Sequence, residues 1–579
     1  MPKPLCMFKS LLDKLSISAK EAVVDGNADT FDGFKDYLHI DRFVEQKFEE
    51  ILLAALESDK PQLLLLSGNV GDGKSHILAR MYRKYPEQMS TVAVRNDATE
   101  SRDVEKDWVA ELTDFLGPFS SVGLPDAGNH AKRIVAINLG VLSSFLNMRG
   151  DEFAELRDFV NRKGIIDRIA GGNHFDPAEY FQFLNFADYN LFTIRPDAAS
   201  SDLIRNVLER VTADQADNPF RSAFNDFYLD HPNTYACPIR FNYLQLAKPE
   251  VQKGLATLLI YAIVKFKLII SIRDLLDFIY NLIVPSELAS LSGPQIKQLY
   301  LSGNHPQVMP NVFYNMLFDN QGRAELFDSV RLLDPVRYRS AALDDLIFRI
   351  SSTDDPDKLF SDHQLEVIPY ARQNPLLPER KALLVKTFIR SLYLNDTGFF
   401  QGELKYFHQF SHYLYCYYAG DASGLKPLYR DLIKAIYYWN GNSKLEKEVN
   451  VPVGRRQLDY NITQTIVLNP DIRVRPGGGP AAEINEFDLS FPVGIKAGAH
   501  GIVFKLDIDL FVLLQNVIRG YSPNRQDRED HINFQQAIDQ ITTAAGQEQA
   551  INFEKIGGSM SEKFQLSYVP GFGYEFSKV

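Results

Sequence analysis

The run Leu63–Ser75 reads LLLLSGNVGDGKS: four consecutive leucines, a loop with glycine at 68, 71 and 73, then Lys74 and Ser75. A short, wholly apolar segment closed by turn residues fits a strand buried on both faces. Such strands belong to parallel sheets with helices on either side. The pattern GxxxxGK[ST] requires that strand before it and a helix after it. The expected fold class is therefore α/β: a P-loop NTPase core with a mostly parallel sheet, helical insertions and a C-terminal α+β region.

Each residue type in the loop has its own electrostatic task. Glycine lets consecutive backbone N–H groups converge on one concavity, where a polyphosphate fits without side chains intervening. The ammonium of Lys74 suits the β- and γ-phosphates and the Ser75 hydroxyl suits Mg²⁺. The helix that follows directs its positive end at the anion. Gly68, Asn69, Val70, Gly71, Asp72, Gly73, Lys74, Ser75 and His76 are the expected cofactor-binding residues, with ATP and Mg²⁺ as the ligands. No Asn-Lys-x-Asp pattern speaks for GTP.

Hydrolysis asks for more: an acidic strand end that holds the metal's water shell and orients the attacking water. The strand Ile134–Ile137 ends in Asn138 and Leu139. Asn138 can bond a metal-bound water, whereas Leu139 cannot act as a base. The strand Val92–Val94 runs on to Asp97 and Glu100, which are either metal-holding or catalytic carboxylates or ordinary turn and cap residues. Arg273 lies in Ser271-Ile-Arg-Asp274, whose ends have capping-box spacing. It reads equally as a phosphate sensor, an arginine finger or half of a structural salt bridge.

A chain of 579 residues exceeds a single core. The expected domains are N-terminal helices over 1–58, the nucleotide domain over 59–285, a helical domain over 286–440 and an α+β domain over 441–579. Helices are expected at 8–25 and 40–57, strands at 63–66, 91–94 and 133–139, and mostly helix from 150 to 265. Residues 267–272 read as the last core strand, followed by a helix over 273–282. Beyond residue 451, strands are expected at 465–468, 489–491, 501–504, 564–569 and 574–576. Helices are expected at 510–519, stopped by Gly520, and at 528–543.

With 62 basic and 74 acidic residues the net charge is -12, so the surface as a whole is no sink for nucleic acid. Three separated cysteines suggest neither a disulfide framework nor a zinc site. The N-terminus lacks a signal peptide's apolar core, and Lys265 and Lys267 interrupt the most apolar stretch; the reading is cytoplasmic, with no membrane span. His39, His76 and His174 show no metal-ligand spacing. Asp396, Glu403 and Lys405 loosely follow an acid…Glu-x-Lys nuclease array, but on segments that read as helical. Arg455, Arg456, Arg473 and Arg475 can contact phosphates or simply be solvated.

The ordered series LSISAKEAV (15–23), YLHI (37–40), SGNVGDGKSHI (67–77), NDATES (96–101), AINLG (136–140) and SIRDLLDFIY (271–280) resembles the DptF family, also called DndF. That family is the NTPase component of the DNA phosphorothioation-dependent restriction system. The resemblance implies an ATPase in bacterial antiviral defence, a restriction-modification role in which unmodified DNA is attacked. It also implies DptG- and DptH-type partners, DNA contacted directly or through them, and a possible homo-oligomer. Its motif assigns Gly68, Gly71, Gly73, Lys74 and Ser75 to ATP and Mg²⁺. No nuclease motif accompanies it. Three readings stand: an ATP-hydrolysing subunit, a nucleotide-bound scaffold that does not hydrolyse, and a small-molecule kinase.

Overall fold

The computed structural model describes residues 7–16, 33–68, 72–98, 107–126, 129–166, 175–228, 237–302, 308–320, 322–352, 358, 360–361, 378–396, 401–441, 447–451, 459–545, 550–556, 563–569 and 571–578. The chain divides into two compact units. One comprises residues 1–192 and 200–401, and the other residues 193–199 and 402–579. The helices at 401–418 and 426–438, read from sequence as part of a separate helical domain, fall with the C-terminal unit from residue 402 onward.

The first unit contains a four-stranded, all-parallel sheet. Strand β1 (Gln62–Ser67) lies between β3 (Lys132–Ala136) and β4 (Phe181–Asn185), and β2 (Ala93–Arg95) borders β3, giving the order β2-β3-β1-β4. All six residues of β1 are buried. Because successive side chains alternate between faces, its leucines serve two cores. Leu63 and Leu65 join Val135, Ile137, Phe181 and Phe183 beneath the helices at 108–116, 139–149 and 154–162. Leu64 and Leu66 join Ile134 and Leu184 against two helices on the other face.

Those two helices, α3 (Phe43–Glu57) and α4 (Lys74–Lys84), follow the short helices α1 (Met7–Asp13) and α2 (Gly33–Leu38). Val44, Phe48, Ile51, Leu52 and Ala55 form the buried stripe of α3. Phe43 is half exposed, whereas Val44 is buried. In α4, Ile77, Leu78 and Met81 face the sheet, and Arg83 and Lys84 end the helix where cations oppose its dipole favourably. At about 1.5–3 kcal/mol for each fully buried large apolar side chain, this packing anchors both ends of the loop between β1 and α4.

Two sequence expectations are corrected here. The fourth core strand is not 267–272 but Phe181–Asn185, in a region read as helical. Lys267 adopts a left-handed conformation (φ 55°) that caps the helix Pro249–Phe266, and the chain then connects directly to the Ser271 capping box without strand pairing. The apolar run Leu268–Ile270 is split, with Leu268 buried and Ile269 exposed. In β4 the sequence FQFLN carries a buried glutamine. Gln182 donates to Gln62 Oε1 at 3.0 Å and to the Asp176 carbonyl at 2.8 Å, and accepts from the Asp176 N–H at 3.0 Å. The amide pair thus bridges β1 and β4 inside the sheet.

The remainder of the first unit is an array of helices, including Asp202–Thr212, Pro238–Leu246, Pro249–Phe266, Ile272–Ile283 and Pro378–Asn395. Among the described residues, no helix is long and apolar enough to cross a membrane. The second unit carries antiparallel sheets. One pairs 468–471, 491–497 and 500–506, and the other orders 573–578, 563–569, 551–555, 460–465 and 448–450. The helix Ile508–Ile518 ends just before Gly520, which is left-handed at φ 103° as a stop requires.

Gln182→Leu leaves Gln62 Oε1 buried without this donor. It is expected to destabilise the first unit by about 1–3 kcal/mol. A double-mutant cycle with Gln62→Leu, followed by urea denaturation, checks it: the expected coupling is about 0.5–3 kcal/mol, and strictly additive effects contradict the bridge.

Candidate functional site

Parallel strands place their carboxyl ends on one edge of the sheet, and that edge is where ligands bind in open α/β sheets. Here it gathers the loop after β1, Asp97 beyond β2, Asn138 beyond β3 and Asn185 at the end of β4. The Ala98 N–H donates to the Ala136 carbonyl at 3.0 Å and the Ile137 N–H to the Leu66 carbonyl at 2.9 Å, so the strand pairing continues to the rim.

The loop's glycines are needed for space as well as for conformation. Gly73, immediately before α4, is left-handed at φ 86°. A Cβ there would come within 2.7 Å of the Arg42 guanidinium. Gly68 has φ 148°, and a Cβ on it would come within 2.7 Å of Asp72 Oδ2, 2.9 Å of Phe186 Cβ and 3.4 Å of Lys74 Nζ. Asp72 and Lys74 thus bring their charged ends to the same glycine. Asn69, Val70 and Gly71 lie outside the described residues, as do Glu100, His174, Arg455 and Arg456.

Lys74 and Ser75 open α4. Burial holds the Lys74 ammonium below the usual lysine pKa, while the carboxylates of Asp72 and then Asp97 favour its charge. Asp97 therefore lies within electrostatic reach of Lys74 although strand β3 separates the strands that lead to them. Arg95 fixes that approach, donating to the Asp97 carbonyl at 3.2 Å and pairing with Glu111 at 3.2 Å.

Asn138 caps the helix Leu139–Arg149, its side chain accepting from the Val141 N–H at 2.8 Å. The oxygen expected to hold a metal-bound water is thereby committed to the backbone. Arg273 sits in the first turn of Ile272–Ile283 behind a complete Ser271–Asp274 capping box, and its Nε is buried without a hydrogen-bond partner. Helix Ile272–Ile283 packs against the helices at 202–212, 238–246 and 313–319.

The sequence reading missed Arg42, a second cation at the loop. Its guanidinium lies beside Gly73 and 6.0 Å from the centre of the Phe186 ring. Burial pushes it below the usual arginine value, against Glu45 and Asp72, which hold its charge. Its only sequence signal is a position one residue before α3, far along the chain from the loop it faces.

Two of the histidines, read from sequence as lacking metal-ligand spacing, lie together in the structure. His39 Nδ1 lies 2.8 Å from His76 Nε2 with the rings stacked 5.0 Å apart, and His39, Asp41 and Glu45 present one ligand atom each to a common point. The Glu45 carboxyl is pushed up to about 7 by burial, with neighbouring Asp41 adding to the effect.

The remaining candidates are tied up structurally. Arg473 pairs with Asp471 at 3.1 Å; Arg475 lies over the Tyr418 ring and donates to the Glu486 carbonyl. Asp396 ends the helix Pro378–Asn395 and Lys405 lies within the helix Gln401–Tyr418, so the nuclease-like array does not sit on strands. Glu403 belongs to that same helix. Cys416 lies 3.6 Å from His412, but burial and then Asp421 push its thiol up to about 11, so it is a packing thiol rather than a nucleophile.

No family model matches the chain, no curated protein matches it, and no solved structure matches it.

Gly73→Ala is expected to cost about 1–2 kcal/mol from left-handed strain, with displacement of Arg42 in addition. Gly33→Ala, where a Cβ meets nothing within 4 Å, serves as the control. Chemical denaturation of both variants checks it; equal stabilities contradict the assigned crowding.

Proposed function

We propose that the first unit is a P-loop NTPase domain that binds Mg·ATP at Gly68–Ser75 and hydrolyses it. The observation that carries this reading is the half-buried Lys74 at the carboxyl edge of a parallel sheet, beside Gly68 and Gly73, both of positive φ and both crowded by neighbouring side chains. A polyphosphate at the loop would take over the role of Asp72 as counter-charge to Lys74. Arg42 would add a second cation, a guanidinium whose geometry suits phosphate oxygens. The first turn of α4 directs its dipole at the same anion. Ser75 would hold Mg²⁺, which when bound neutralises charge developing on the phosphates.

For the acid expected at a second strand end, the reading selects Asp97. Its electrostatic link to Lys74 sets it apart from Asn138, whose oxygen caps a helix. In this assignment Asp97 orients water at the metal and the terminal phosphate, a positioning and electrostatic role that phosphoryl transfer depends on. Arg273 remains a candidate sensor or finger.

The wider role we infer follows from the family resemblance: an ATP-driven subunit of a cytoplasmic, phosphorothioation-dependent restriction complex acting against unmodified DNA. DptG- and DptH-type proteins would be its partners and cleavage would reside elsewhere. ATP drives such a switch only through different affinities for its ATP-bound and post-hydrolysis states. The commitment of Asn138 to its helix favours the second reading, a nucleotide-bound scaffold that docks partners without turnover.

Phosphate release from the purified chain, alone and with such partners plus modified or unmodified DNA, separates the two. Lys74→Ala is expected to fall to background, and Asp97→Asn to lose about 100-fold or more in turnover while still binding ATP. Unmodified DNA is expected to stimulate release more than modified DNA. Wild-type turnover in Lys74→Ala sinks the hydrolytic assignment; no release by the wild type under any condition favours the scaffold.

A further inference from the structure

We infer that His39, Asp41 and Glu45 form a zinc-type divalent metal site, distinct from the Mg²⁺ expected at Ser75. The inference is independent of the nucleotide reading.

The backbone explains how three neighbours in sequence converge. Residues 39–42 connect α2 to α3 without regular structure, and His39 and Asp41 are two apart, which in extended chain puts side chains on one side. Glu45, in the first turn of α3, is four residues beyond Asp41. His39 Nε2 then lies 3.0 Å from Asp41 Oδ1 and 3.4 Å from Glu45 Oε2. All three ligand atoms fall within 4.8 Å of one another. Ligands at about 2.0–2.2 Å from a tetrahedral zinc are separated by roughly 3.3 Å, so the two His39 distances already suit the ion.

A second observation points to a ligand. The Glu45 side chain is 5% exposed, and its Oε2 has no hydrogen-bond partner. The other oxygen, Oε1, accepts from Arg80 Nε at 3.0 Å, and Arg80 also bonds Asp41 Oδ1 at 2.9 Å. Arg80 thus balances one of the two carboxylate charges and orients both groups. A proton on His39 Nε2 can serve Asp41 at 3.0 Å, but it leaves Oε2 poorly served at 3.4 Å. A divalent cation at the shared point gives Glu45 Oε2 the partner it lacks, in exchange for the hydrogen bond between His39 Nε2 and Asp41 Oδ1.

The outer contacts suit a metal-bound imidazole. With Nε2 given to the metal, Nδ1–H donates to His76 Nε2 at 2.8 Å; such a partner fixes the tautomer and ring orientation of a ligating histidine. His39 and Asp41 also line a cavity of about 1020 Å³, bordered by Asp36, Arg83 and Arg210. That cavity has room for water at the fourth position, the arrangement of a zinc site with three protein ligands. Because His76 follows Ser75, the ion would tie residues 39–45 to the first turn of α4.

The test is zinc titration of the metal-stripped full-length chain without nucleotide, read by bound stoichiometry and thermal stability, with Co²⁺ absorption reporting geometry. One equivalent per chain, a raised melting temperature and a four-coordinate Co²⁺ spectrum are expected. His76→Phe is expected to weaken zinc by about 10–100-fold, and Glu45→Gln by more. Absence of stoichiometric zinc binding by the wild type overturns the site. So does binding that Glu45→Gln and Asp41→Asn leave unchanged.

Discussion

The candidate site depends first on the burial of β1 on both faces. A strand made of leucines needs both of its faces covered, so it is driven into a sheet with helices on either side, here between β3 and β4. Once it is there, its carboxyl end is held by two separate cores, and α4 packs into one of them through Ile77, Leu78 and Met81. The glutamine pair between β1 and β4 adds a polar tie that is viable inside a sheet only because its partners are in place.

The second constraint is electrostatic. Burial opposes the charge of Lys74 and of Arg42, each half-buried, and neighbouring carboxylates favour it. Cations desolvated in advance interact more strongly with an incoming anion than solvated ones and need less reorganisation to meet it. Asp72 is the local counter-charge, Asp97 reaches in from two strands away, and Glu45 balances Arg42 from α3. The three helical and loop segments around Gly73 are therefore coupled through charge as well as through packing.

The local part of this arrangement was legible in the sequence. The LLLL strand and the helix from Lys74 are short-range signals, as are the Ser271–Asp274 capping box and the Gly520 stop, and the structure carries each of them. What sequence order hid were pairings made across space. Strand 181–185 was masked because Gln182 breaks its apolar run, and that glutamine finds its partner in Gln62, 120 residues earlier. The run 267–272 looked like a strand because its apolar residues are consecutive, yet a left-handed Lys267 and a capping box leave it no room to pair. Arg42 acts on a loop more than 25 residues away, so no spacing rule along the chain could expose it, whereas His39, Asp41 and Glu45 are near neighbours whose convergence depends on how residues 39–42 lead into α3.

The central claim is that Gly68–Ser75 holds a polyphosphate, and direct binding tests it most plainly. A ligand that binds only the folded state at 100 times its Kd stabilises it by about 2.7 kcal/mol. Melting of the wild-type chain and of Lys74→Ala, each with and without saturating Mg·ATP, makes the comparison. The account predicts a clear upward shift for the wild type and little or none for Lys74→Ala; no shift in the wild type, or the same shift in both, would contradict it.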